Sequence, residues 1–171
     1  QQLRKAKADR NVRICWADAE LRRYRDELYL LPTQLPISEH ETHWDLQQPL
    51  NLSDGRSLRI DGQVPLRNAI VRSRQDGVSI GVAANRPRRP LRLLFQESGL
   101  PPWVRERLPY LFIEDNLMAV GDQWLDHSFR DWLDAHQASL IFTDLQETKS
   151  MTAAVQHHPD QRQFQMDVDG H

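Results

Sequence analysis

One cysteine, Cys15, stands among 171 residues. No disulfide can form within the chain, and cytoplasm is the expected location. Glycine is scarce, at 7 residues, and nowhere do two glycines stand close enough to cradle a phosphate, as nucleotide-binding loops do. No apolar run approaches the ~18 residues that span a bilayer, so no membrane role is expected. The opening Gln1-Gln2-Leu3-Arg4-Lys5 lacks the apolar core of a secretory signal. It also lacks an initiator Met, and a fragment of a longer chain is expected. Lysine is rare beside arginine.

What is present is an uneven charge. The formal net charge of −2 hides a basic middle and an acidic end. From Arg56 to Arg107 eleven arginines face four acids, a balance of +7. From Leu108 to His171 eleven acids face three bases, a balance of −8. Arginine suits bidentate phosphate contact and stacking on bases, and it serves equally in ordinary salt bridges. Both readings stay open on composition alone.

Periodicity and punctuation place the elements. Val12, Ile14 and Trp16 alternate with polar residues, as on a half-buried strand. Leu21–Tyr24 and Leu28–Leu31 read as two strands across an Asp26-Glu27 turn, followed by a loop from Pro32 to Pro36. Further strands are expected at His43–Leu46, Leu58–Ile60, Ala69–Val71 and Val78–Val82. Pro90 opens a helix on which Leu91, Leu94 and Phe95 form one apolar stripe, and Gly99 closes it. Pro101-Pro102 restarts the chain, with Trp103 as anchor of a second helical turn. Tyr110–Ile113 and Leu117–Val120 read as a hairpin across Asp115-Asn116. Phe129–Ala135 reads as a helical turn and Ser139–Phe142 as a last strand.

The run from Leu91 to Phe112, LRLLFQESGLPPWVRERLPYLF, closely resembles the C-terminal domain of tRNA(Ile)-lysidine synthetases. Leu117–Gly121 resembles the strand that follows it in that family, and Leu21–Leu31 the strand pair that opens the domain. The resemblance covers roughly residues 10 to 144. It implies an α+β fold, a mixed β-sandwich with two short helices, similar to a domain of the phenylalanyl-tRNA synthetase β chain. Residues 1–11 would then be a linker or the end of a preceding helical domain, 12–144 the tRNA-binding domain, and 145–171 an appended tail. The family attaches lysine, through an ATP-adenylated intermediate, to the wobble cytidine of an isoleucine tRNA. It pairs this domain with an ATP-binding catalytic domain and a helical middle domain. The Ser-Gly-Gly phosphate loop of that catalytic domain is absent here. The resemblance therefore implies no catalytic residue and no cofactor in this chain, with ATP and Mg held elsewhere in the parent enzyme.

Its partner would be tRNA(Ile), held through Arg86, Arg88, Arg89, Arg92, Arg105 and Arg107. Where the family carries flexible or Lys-rich runs, Pro87 and Pro90 stiffen the segment. From pattern alone these arginines read equally as a solvated face. A structural or protein-interaction domain, its arginines paired with its own acids, is the alternative function.

Other features admit plainer readings. Glu39-His40-Glu41-Thr42-His43 has His-x-x-His spacing beside a loop, not the helical pair of zinc proteases. Asp122, Asp126, Asp131 and Asp134 lack the rhythm of a calcium loop. Trp16, Trp44, Trp103, Trp124 and Trp132 are expected mostly in or at the edge of the core. Cys15 has no neighbouring cysteine and is expected inert. Residues 151–171 weakly resemble the first strand of GNAT-type acetyltransferases, but the chain stops before any acetyl-CoA loop.

Overall fold

The computed structural model describes residues 13–32 and 36–144. They fall into two units that divide at Pro36. The expected linker and the appended tail lie outside the described residues.

In the first unit, β1 (Arg13–Cys15), β2 (Ala19–Tyr24) and β3 (Glu27–Pro32) form an antiparallel sheet in that order. The β2–β3 turn falls on Arg25-Asp26, one residue before the expected place, because Tyr24 pairs with Glu27. Arg25 takes the left-handed conformation, with φ of 56°. Glu20 is buried and receives Arg13 Nε and Arg22 Nη2, each at 2.6 Å. Trp16 does not fill the half-buried place that alternation predicts; it is 55% exposed just beyond the end of β1.

The second unit holds the α+β architecture expected from the sequence. Its central sheet has five antiparallel strands. They run β12 (Trp124–Leu125), β11 (Asn116–Val120), β10 (Tyr110–Ile113), β7 (Ala69–Arg72) and β4 (Thr42–Trp44). A second sheet is ordered β13 (Ser139–Asp144), β6 (Arg56–Asp61), β5 (Leu50–Asn51). A two-stranded ladder joins β8 (Ser79–Ile80) to β9 (Arg89–Pro90).

Every residue of β10 is buried, because the central sheet is covered on both faces. Successive side chains of a strand point to opposite faces. Leu111 and Ile113 accordingly join one core with Trp44, Leu58, Phe129 and Leu140, where the second sheet and α3 (His127–Ala135) pack. Tyr110 and Phe112 join the other, with Ile80 and the stripe of α1 (Leu91–Ser98). On α1, Leu91, Leu94 and Phe95 are the buried residues, as their spacing predicts. Gly99 ends α1 at φ of 71°, a conformation a side chain would strain. Trp103, in α2 (Pro102–Arg105), is 3% exposed.

Three details of this unit depart from the sequence reading. Pro90 is the N-cap of α1 rather than its first residue, since it is already committed to the β8–β9 ladder. The β10–β11 turn is Glu114-Asp115, with φ of 52° and 62°, and Asn116 opens the next strand paired to Ile113. A two-residue turn of type I′ needs positive φ at both central positions. Here Glu114 accepts it, and the Asn116 side-chain amide donates to its carbonyl at 3.1 Å. A third helix, α3, extends the expected turn at Phe129–Ala135 back to His127.

Candidate nucleic-acid interface

The β8–β9 ladder delivers the chain into α1, and this sets where the arginines stand. Ile80 pairs with Arg89 and Ser79 with Pro90, after which the Leu91 N–H donates to the Val78 carbonyl at 3.0 Å. Arg86, Arg88 and Arg89 therefore sit on the approach to the helix, and Arg92 in its first turn. No side chain caps that turn, because proline has none to offer, and no acid lies in it. The N-terminal end of a helix carries unpaired N–H groups and the positive end of its dipole.

The six expected arginines do not behave alike. Arg86 and Arg92 are exposed, and among the described residues no acid lies in ion-pair range of either. Arg88 is exposed but tethered: Nη2 donates to the Ser79 carbonyl at 2.9 Å, and Nη1 lies 3.4 Å from Asp126. Asp126 caps α3, accepting from the Ser128 N–H at 2.9 Å and its hydroxyl at 2.6 Å. Burial alone would raise the Asp126 carboxyl. The Ser128 hydrogen bonds, with His127 and Arg88 nearby, outweigh it and hold the carboxyl below its ordinary range. Arg89 pairs with Glu97 on the helix surface at 2.5 Å. Arg105 donates to the Leu100 carbonyl at 2.6 Å and lies over the Phe95 ring, 5.9 Å from its centre.

Arg107 does not belong to this surface. It is 3% exposed and lies inside a closed network of two arginines and two aspartates. Its Nε lies 2.5 Å from Asp144, and its Nη2 donates to the Asp54 carbonyl at 2.7 Å. Arg56 grips the Asp54 carboxylate with Nε at 2.9 Å and Nη2 at 2.7 Å, and donates to the Arg107 carbonyl at 3.0 Å. Arg107 is a structural residue, because its guanidinium is shut away from any phosphate.

Two residues that the sequence reading missed complete the region. Arg74 and Arg92 flank a cleft of about 280 Å³ between the 74–79 segment and the start of α1, walled also by Asp76, Val78, Phe95 and Tyr110. Arg74 lies 18 positions before Arg92 in sequence, across a turn and a ladder, so no local pattern joins them. Arg130, on α3, donates to the Val82 carbonyl at 3.2 Å and is exposed.

Residues 69–142 match the family model of the TilS substrate C-terminal domain. The chain carries a TilS C-terminal domain. The match takes in the central sheet from β7 onward, the three helices of the described residues and all six arginines expected at the site. The chain is similar to the tRNA(Ile)-lysidine synthase of Xanthomonas campestris pv. campestris (strain 8004), 37% identical over 136 residues, covering 77% of this chain and 31% of that protein. It is similar to the enzyme of the same name from Methylococcus capsulatus, 36% identical over 132 residues, covering 71% and 30%. A third relative, from Edwardsiella ictaluri, is 29% identical over 150 residues, covering 75% and 34%. The chain thus spans about a third of the length of these curated relatives. The TilS domain lies wholly inside the second unit.

Proposed function

We propose that this chain is the tRNA-gripping C-terminal region of a tRNA(Ile)-lysidine synthase, the ligase that joins lysine to the wobble cytidine of an isoleucine tRNA at the expense of ATP. The observation that carries the reading is the run of Arg86, Arg88, Arg89 and Arg92 leading into the uncapped first turn of α1, of which Arg86 and Arg92 are exposed with no acid in ion-pair range among the described residues. Positive charge and open N–H groups at one helix end suit a phosphate.

The pairs that Arg88 and Arg89 make do not oppose this. Both arginines are partly exposed, at 45% and 39% of the side chain. Arg88 faces the buried Asp126 only at 3.4 Å. The Arg89–Glu97 pair is exposed on both sides, and such pairs are worth roughly 0–1 kcal/mol. Exchange of such a pair for a phosphate contact costs little and releases counterions. Among the described residues no base-reading device accompanies the arginines, so the grip is on backbone and shape.

In this reading the chain supplies binding energy and no chemistry. ATP and Mg belong to a catalytic domain elsewhere in the parent enzyme, beside a middle domain, and the enzyme works in the cytoplasm. The structural alternative is favoured by the pairing of Arg56 and Arg107 in the interior and of Arg59, Arg72, Arg74, Arg88 and Arg89 with acids nearer the surface, and it leaves Arg86 and Arg92 without an acid among the described residues. Binding of tRNA to this chain across a salt series tests the proposal. Affinity should fall steeply as salt rises; absence of binding at low salt would place the RNA contact outside this chain.

A further inference from the structure

Tyr110 is fully buried, and its hydroxyl has no hydrogen-bond partner. Leaving a buried hydroxyl unmatched costs on the order of 1–3 kcal/mol, so such groups call for an explanation. The residue lines the cleft between the 74–79 segment and α1. Burial pushes the hydroxyl up to about 12, with Arg74 lowering it and Asp76 raising it to a lesser degree. It is therefore a neutral donor throughout the physiological range.

Three kinds of donor thus converge on one cleft of about 280 Å³. Arg74 and Arg92 bring charge from opposite walls. The uncapped first turn of α1 brings the backbone N–H groups of Arg92 and Leu93, that of Leu91 being taken by the Val78 carbonyl. Tyr110 brings a hydroxyl from the interior. The opposing charge is Asp76, which lies 3.5 Å from Arg74 and whose side chain is 92% exposed, so it can swing into solvent.

We infer that this cleft is a seat for a single phosphate group, with the Tyr110 hydroxyl, the Arg74 and Arg92 guanidiniums and the α1 amides as its donors. Its natural source, resting on the RNA-binding reading above, is a phosphate of the bound RNA, either an internal phosphodiester or a terminal monoester. Both share the non-bridging oxygens that the donors address.

Inorganic phosphate is the first probe, titrated against this chain while backbone amide resonances are followed by NMR. The amides of Gly77, Arg92 and Leu93 should move together and saturate. Tyr110→Phe removes the hydroxyl and nothing else. It should weaken phosphate binding by about tenfold or more, the scale of a hydrogen bond to a charged group. Its melting temperature should not fall, because the hydroxyl has no partner to lose. A purely structural tyrosine would show the reverse pattern. Wild-type phosphate affinity in Tyr110→Phe, or shifts confined to other amides, would overturn the inference.

A second arm compares one RNA with and without its 5′-phosphate. Preference for the phosphorylated form, abolished by Tyr110→Phe, assigns the seat to a chain end. Equal affinity, lowered in both by Tyr110→Phe, assigns it to an internal phosphate. RNA binding that Arg88→Glu abolishes and Tyr110→Phe leaves intact overturns the seat and keeps the RNA-binding reading. Phosphate binding without RNA binding does the opposite.

Discussion

Arg107 Nε lies 2.5 Å from Asp144 Oδ2, with both side chains almost wholly buried. Through this pair the segment after α2 is tied to the end of β13, 37 residues away in sequence. The Asp54–Arg56 pair closes the network from the start of β6. Removing one partner of a buried pair leaves an unmatched charge, at a typical cost of roughly 3–5 kcal/mol. Asp144→Ala and Arg107→Ala should each lower unfolding free energy by about that much in a denaturant titration, and the double variant should lose less than the sum. Additive losses would show that the two side chains do not stabilise each other.

The same network sets the response to acid. Burial alone would raise the Asp54 carboxyl. Hydrogen bonds from the Arg56 side chain and the Ser38 N–H, with the Arg56 charge, outweigh it and hold the carboxyl below its ordinary value of 3.8. Asp126 is depressed likewise. A carboxyl depressed in the folded state binds its proton more readily when unfolded. Its stabilisation is therefore present above the unfolded value and is lost as pH falls through the folded one. Melting temperature should be flat through neutrality and drop below about pH 3.8. Asp54→Asn should be less stable at pH 7 and show a shallower acid drop.

Phe95 and Trp103 pin the proline-marked corner from which the arginines project. Phe95 is 4% exposed and meets Trp124 edge-on, with ring centres 5.3 Å apart. Truncating either Phe95 or Trp103 to Ala should cost on the order of 3–5 kcal/mol, measured by chemical denaturation. A loss below about 1 kcal/mol would mean the corner collapses onto the space left behind.

The parts of this fold legible in sequence are those written locally. Pro90, the Leu91–Leu94–Phe95 spacing and Gly99 specify α1 within ten residues, and the structure keeps all three features. Turns shift by one where a residue with a weak preference takes the left-handed conformation, as Arg25 and Glu114 do. The Arg107 network was not legible, because its partners lie 37 and 53 positions away. Within the run Arg105-Glu106-Arg107 the two arginines look equivalent, yet one is half-exposed and the other interior. The cleft was hidden for the same reason: Arg74, Arg92 and Tyr110 meet only after β8 pairs with β9 and α1 packs on β10.

Reversal of charge at the entrance to α1 tests the proposed role most directly. Arg88→Glu, Arg89→Glu and Arg92→Glu together replace three cations of the run that leads into α1. Arg92 has no acid in ion-pair range among the described residues and Arg89 pairs at the surface, but Arg88→Glu faces the buried Asp126, so an unchanged melting temperature of the triple variant is the control. Each phosphate contact removed lowers the slope of log affinity against log salt by about 0.9 on duplex RNA, taking the B-DNA value as a guide. The triple variant should therefore bind tRNA more weakly and with a flatter salt dependence. In the full-length synthase it should raise the tRNA KM and leave kcat nearly unchanged, because contacts far from the reacting cytidine are made equally in the bound and transition states. A fall in kcat at unchanged KM would mean that the arginines position the wobble base rather than hold the tRNA. Wild-type binding at low salt would assign them to a solvated face, with Arg74, Arg105 and Arg130 left to carry the RNA.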